Sequence, residues 1–117
     1  MPELAELKLT SDYVNGVSEG KIFTHITKNP DHKWKDVDFG EKFYIKSSSR
    51  GKEIKMTLIS VNSDKKENLM MTMGMGGHFK WASQGESFRN THLFFHCNDG
   101  GHLAFVDVRR FGKWKWG

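Results

Sequence analysis

Cysteine is nearly absent from this chain: Cys97 is the only one among 117 residues. An internal disulfide is therefore impossible, and so is a four-cysteine zinc site within the chain. A lone thiol suits a reducing compartment. Long apolar runs are missing too; none approaches the roughly 18–20 residues that span a bilayer. The first residues are acidic and lack a continuous apolar stretch, so no secretory leader is expected. No internal repeat, low-complexity tract or linker breaks the sequence. The histidines (His25, His32, His78, His92, His96 and His102) form no helical i, i+4 pair, and the carboxylates form no cluster with metal-ligand spacing. No metal and no cofactor is expected in this chain. These absences point to an intracellular, soluble, monomeric protein with no membrane partner. A single domain over residues 1–117 is expected, long enough to bury a core without staples.

What is present is a moderate basic excess and strong periodicity. The net charge is +4 and the pI about 9.2, which allows polyanion binding without identifying it. Leu4, Leu7, Val14 and Val17 fall near one face of a helix over residues 3–18, with Leu9 and Tyr13 beside it. A strand-like stretch follows over 21–27, then a polar loop over 28–41 that Trp34 and Phe39 are expected to pin. From there the apolar period is two: Phe43 and Ile45; Ile54, Met56 and Leu58; Leu69, Met71 and Met73; Phe79 and Trp81; Leu93, Phe95 and Cys97; Leu103 and Phe105. Turn-forming segments separate these runs. The expected fold is mainly β: an N-terminal helix followed by a two-sheet antiparallel β-sandwich of about seven to eight strands. Trp114 and Trp116 crowd the chain end, which reads as a domain edge whose tryptophans have lost their packing partner.

The first residues carry the clearest chemistry. Removal of Met1 would leave Pro2 with a free secondary amine. An α-amino group titrates near pH ~8, against ~10.4 for a lysine, so roughly a tenth is neutral at pH 7. A neutral amine can form a Schiff base with a carbonyl-like carbon, and Glu3 beside it can donate or accept a proton. On these residues alone the plainer reading is favoured, in which Pro2 just opens a helix, where its missing N–H costs nothing.

Three further stretches resolve that choice: Arg50-Gly51-Lys52, Gly74-Met75-Gly76-Gly77, and Phe105-Val106-Asp107-Val108-Arg109-Arg110-Phe111-Gly112. With Pro2-Glu3-Leu4-Ala5-Glu6, in this order and at these separations, they resemble the formamidopyrimidine-DNA glycosylase / endonuclease VIII family of base-excision repair enzymes. The last stretch looks most like the eukaryotic endonuclease VIII-like 1 branch. The resemblance covers essentially the whole chain and implies that family's N-terminal catalytic domain.

The resemblance implies a DNA glycosylase with abasic-site lyase activity, acting on oxidised bases in damaged double-stranded DNA. By it, Pro2 is the Schiff-base nucleophile and Glu3 the acid that protonates the sugar ring oxygen. Glu6 is a second acid near the base pocket, and Lys52 approaches the sugar and phosphate. Met75, Arg109 and Phe111 would enter the space left by a flipped base, and His92 would contact backbone phosphate. Arg110 is assigned to structure, paired with Asp107. Ala5 departs from the proline many bacterial relatives carry there. The family's helical domain and its zinc or zincless finger are absent from these residues. Such an enzyme would work in the nucleus of a eukaryote or the cytoplasm of a bacterium. Two other readings are a basic β-sandwich that binds nucleic acid without chemistry and an inactive fragment.

Overall fold

The computed structural model describes residues 4–117; Pro2 and Glu3 lie outside the described residues. Helix α1 spans Leu4–Ser18. Eight strands follow: β1 (Phe23–Lys28), β2 (Phe43–Arg50), β3 (Glu53–Ser60), β4 (Lys66–Thr72), β5 (His78–Ala82), β6 (Thr91–Cys97), β7 (His102–Val106) and β8 (Lys113–Trp116). Among the described residues no helix is long and apolar enough to cross a membrane.

Every strand pairing is antiparallel, in the order β5-β7-β6-β1-β2-β3-β4-β8. The sheet is pinched in the middle. β1 and β2 share a single pair, Phe23 with Phe43, and then diverge. The halves β5-β7-β6-β1 and β2-β3-β4-β8 fold over one another as the expected two layers. At the pinch the rings of Phe23 and Phe43 stack at 5.6 Å. Farther out, Phe105 of β7 meets Trp114 of β8 edge to face at 6.1 Å, a geometry aromatic quadrupoles favour.

Period-two patterning accounts for the core. On β3, Ile54, Met56 and Leu58 are fully buried while their neighbours are half-exposed. Leu69 and Met71 of β4 do the same opposite them, and Met56 pairs directly with Leu69. α1 buries Leu7, Ser11, Val14 and Ser18, spaced by three and four residues, against this core. Its polar side chains also finish two strands that lack neighbours. The amide of Asn15 donates to the Ser47 carbonyl at 2.8 Å and its oxygen accepts the Ser47 N–H at 2.7 Å, standing in for a missing strand beside β2. The Tyr13 hydroxyl accepts the Trp81 N–H of edge strand β5 at 2.7 Å. Unpaired strand edges invite aggregation, and the helix covers both.

The loop between β1 and β2 is pinned as expected. Phe39 is fully buried. Trp34 and Trp114 form a reciprocal latch: the Trp34 indole N–H donates to the Trp114 carbonyl, and the Trp114 indole N–H donates to the Lys35 carbonyl, both at 2.7 Å. This corrects the expectation that both C-terminal tryptophans are left over. Trp114 is enclosed within the domain, whereas Trp116 stays 39% exposed.

Candidate nucleic-acid interface

One row of paired residues, Arg50–Glu53–Thr72–Lys113, crosses β2, β3, β4 and β8. In the other layer the row His78–Val106–Thr91 crosses β5, β7 and β6. Three connections leave the sandwich beyond these rows: Gly51-Lys52, residues 73–77, and residues 107–112. The last two each cross from one layer to the other, β4 to β5 and β7 to β8. They therefore meet at the same end of the sandwich. α1 is directed there too. It runs against β2, with Asn15 on Ser47 and its last turn near Tyr44 and Ile45, so its N-terminal turn points toward the Lys52 hairpin.

The β2–β3 hairpin has a two-residue tip. Gly51 takes φ 60° at the first tip position, while Lys52 keeps a negative φ; this turn demands glycine there. Lys52 is thrust into solvent at the tip rather than lying on strand β3.

The 73–77 turn sorts its two methionines. Met73 is buried and Met75 is 59% exposed. A Cβ at Gly77 would lie 2.1 Å from the Met73 carbonyl oxygen, so only hydrogen fits. At Gly74 a Cβ would come within 3.1 Å of the Phe111 Cβ; the turn and the 107–112 loop are in contact. Phe111 is itself 62% exposed, and Arg109 beside it is exposed. The structure thus brings Met75 and the Arg109–Phe111 loop together. Met75, Val108 and Phe111 are all large apolar side chains left exposed on these two touching segments, a concentration of the kind that marks an interaction site.

Asp107 builds that loop. It is fully buried, and its carboxylate accepts the Arg109 N–H at 3.2 Å and the Gly112 N–H at 2.7 Å. Its own N–H donates to the Asn90 carbonyl at 3.0 Å. Sequence reasoning missed this role. An aspartate heading a short loop with a glycine five residues on is a turn signal that could have found it. Because both carboxylate oxygens serve backbone, the expected pairing of Asp107 with the Arg110 side chain does not form. Arg110 reaches instead to the Asp31 carbonyl at 3.3 Å.

His92 also differs from expectation. It is 1% exposed, and its Nε2 donates to the Asp107 carbonyl at 2.6 Å. Enclosed this way, it supports the loop and does not present its ring to a phosphate. Glu6 is exposed on the first turn of α1, with its carboxylate free to solvent among the described contacts. Around the same end, Lys28, Lys33, Arg50, Lys52, Arg109, Arg110 and Lys113 outnumber Glu6, Asp31 and Glu53 among the described residues, a local excess of positive charge of the kind that gathers phosphates.

A second histidine group lies on β1, β6 and β7. His25 stacks on His96 at 4.3 Å and His102 lies 6.0 Å from His96. Burial first, then His25 and His102, hold His96 below its usual 6.5; burial lowers His102 as well, against Glu86. The unfolded chain therefore binds these protons more readily than the folded one. Stability is full above the unfolded value and is lost as pH falls through 6.5 toward the lower folded values. Thermal melts should show a Tm lower at pH 5.5 than at pH 7.5, and His96→Gln should flatten that slope. A melt of equal Tm at both values would contradict this assignment.

The fold and this surface define a class: a helix-led antiparallel β-sandwich with a basic, loop-built face at one end. The family model of the formamidopyrimidine-DNA glycosylase N-terminal domain matches residues 1–114. Human endonuclease 8-like 1 is 33% identical over 131 residues, an alignment covering 100% of this chain and 32% of that protein. Formamidopyrimidine-DNA glycosylase of Deinococcus radiodurans is 27% identical over 118 residues, covering 97% of this chain and 41% of its own. A structure of Lactococcus lactis Fpg in complex with DNA containing an oxidized pyrimidine shares the fold, with a TM-score of 0.80 at 22% identity over 99% of this chain and 44% of that one. The chain belongs to the formamidopyrimidine-DNA glycosylase N-terminal domain family. It spans about a third of the length of human endonuclease 8-like 1.

Proposed function

We propose that this chain is the catalytic half of a DNA glycosylase with abasic-site lyase activity. The observation that carries the reading is the contact between the Met75 turn and the Arg109–Phe111 loop, at the end of the sandwich that also holds Lys52. Relatives named as formamidopyrimidine-DNA glycosylases and a neighbour bound to damaged DNA support it. Met75, Arg109 and Phe111 fill the gap left by an extruded base, with phenylalanine wedging the stack and arginine facing the orphaned partner base. The Pro2 nitrogen attacks the sugar C1′. The glycosidic bond breaks, its electron pair leaves with the base, and the base takes up a proton. Glu3 protonates the ring oxygen as the sugar opens to an iminium. Loss of the C2′ proton then expels the 3′-phosphate. Lys52, exposed at its hairpin tip, meets phosphate in this reading. Glu6, on the same helix as these first residues, is a second acid for the base pocket.

The domain acts as a monomer on double-stranded DNA without a bound cofactor. Borohydride trapping on a duplex carrying one abasic site, at low salt, tests the reading. A covalent adduct mapped by mass spectrometry to the Pro2 nitrogen is the expected result. Saturable binding to the abasic duplex with no adduct, from a chain whose N-terminus is a free Pro2, would favour the non-catalytic binding module. Because lysine and arginine hold the phosphates, the adduct yield should fall as salt rises, with a slope set by the number of phosphates held.

A further inference from the structure

Two buried ring nitrogens beneath the DNA-facing loop lack partners, and their chemistry is complementary. His32, on the β1–β2 loop, is 4% exposed. Its Nδ1 accepts the Trp34 backbone N–H at 3.1 Å, so Nδ1 is unprotonated and the ring proton resides on Nε2. That Nε2 has no acceptor. His92 is the mirror case. Its Nε2 faces the Asp107 carbonyl, which can only accept, so Nε2 carries a proton, and in the neutral ring Nδ1 is then a bare lone pair. That Nδ1 has no donor. One ring thus offers a buried N–H and the other a buried acceptor, and the ring centres are 4.7 Å apart. Buried polar groups are rarely left unmatched, and one buried water often bridges such a pair.

We propose that His32 is a positioning residue for the 107–112 loop, its Nε2–H bonded to His92 Nδ1 directly or across one buried water. The chain of donors then runs in one direction: Trp34 N–H to His32, His32 to His92, His92 to the Asp107 carbonyl. Polarised hydrogen bonds in series strengthen one another. The carbonyl at its end also receives the Arg110 N–H at 3.4 Å, so the chain terminates on the backbone that sets Arg109 and Phe111. A second tie runs in parallel, from the Arg110 side chain to the Asp31 carbonyl.

Both rings must be neutral for this order. Burial, His92, Lys28 and Arg110 all disfavour a proton on His32, and Asp107 alone favours one. Lys28 donates to the His32 carbonyl, which keeps its charge close. Protonation of His32 at Nδ1 would remove the acceptor for Trp34 and break the chain at its first link.

The role in DNA reading rests on the function proposed above; the chain itself does not. In the 117-residue protein, two-bond proton–nitrogen correlation of the histidine rings at pH 7 should show His32 and His92 both neutral and both protonated on Nε2. An Nδ1–H tautomer or a charged ring at His32 would overturn the proposal. Binding to a duplex with a tetrahydrofuran abasic analogue opposite 2-aminopurine reads the consequence. His32→Phe keeps the ring packing and should lose about tenfold in preference for this duplex over an undamaged one. His32→Gln, whose amide offers both a donor and an acceptor, should stay within about threefold of the parent. Full preference in a folded His32→Phe protein would overturn the positioning role. If the parent itself shows no preference, the DNA-reading assignment fails, and the tautomers still decide the chain. If the Phe variant does not fold, the tautomers of the parent decide likewise.

Discussion

A chain that retains Met1 ahead of Pro2 is expected to give no borohydride-trapped adduct, a loss of at least about a hundredfold relative to the processed chain. The reason is chemical. In the retained form the proline nitrogen is a tertiary amide, its lone pair is delocalised into the carbonyl, and it cannot form an iminium. The Met1 amine that replaces it is primary and displaced by one residue, and a reacting atom misplaced by even about 1 Å costs catalysis heavily. The same premise fixes the pH dependence of the processed chain. The amine must be neutral to attack, so trapping should rise with pH through about 8, the range of a terminal amine, and not through about 10.4, the range of a lysine. Comparing the two forms on one abasic duplex, with intact masses verified, checks both points. Equal adduct from the Met1-retaining chain would move the nucleophile to a side chain, and Lys52, exposed at its hairpin tip, would be the first to test.

The sequence carried the architecture because the core obeys a simple period. Ile54, Met56 and Leu58, or Leu69 and Met71, alternate and are buried in alternation. Where the period breaks, sequence reasoning erred. His92 lies between Thr91 and Leu93 at a shift in register between β6 and β7. All three residues are buried, so the alternation that would turn His92 outward does not apply; a bulge of this kind re-aims a side chain. β7 is buried along its whole length and likewise hides its facing from a period-two reading. The site was legible as motifs but not as a mechanism of support. The turn in which Asp107 spends both oxygens on the N–H groups of Arg109 and Gly112 had a local signal that sequence reasoning missed, but nothing local shows that His32, sixty residues upstream of His92, sits against it. That link depends on the loop that carries His32 being held in place by the Trp34–Trp114 latch. The roles of Pro2 and Glu3 were read from the family resemblance, and both residues lie outside the described residues.

That latch makes Trp114 the residue whose loss should cost most in stability. Trp114→Ala is expected to destabilise the domain by about 3–5 kcal/mol, the usual cost of removing a buried large aromatic ring. Several contacts vanish together. Phe105 at 6.1 Å and His32 at 4.8 Å each lose an aromatic contact, and the Lys35 carbonyl loses its donor. Against a total stability of about 5–15 kcal/mol for an ordinary domain, such a change shifts the urea midpoint far or abolishes cooperative unfolding. Trp116→Ala is the control. Its ring is exposed and its strand pairing with Leu69 is made by backbone, so its cost should stay within about 1 kcal/mol. Urea titrations followed by far-UV circular dichroism, which does not depend on the tryptophans removed, separate the two. If both variants cost the same, the edge of the sheet and not the latch would be what Trp114 supports. If Trp114→Ala alone collapses the midpoint, β8 is anchored through the loop that carries His32, and the face proposed to read DNA is held by the same ring that closes the sandwich.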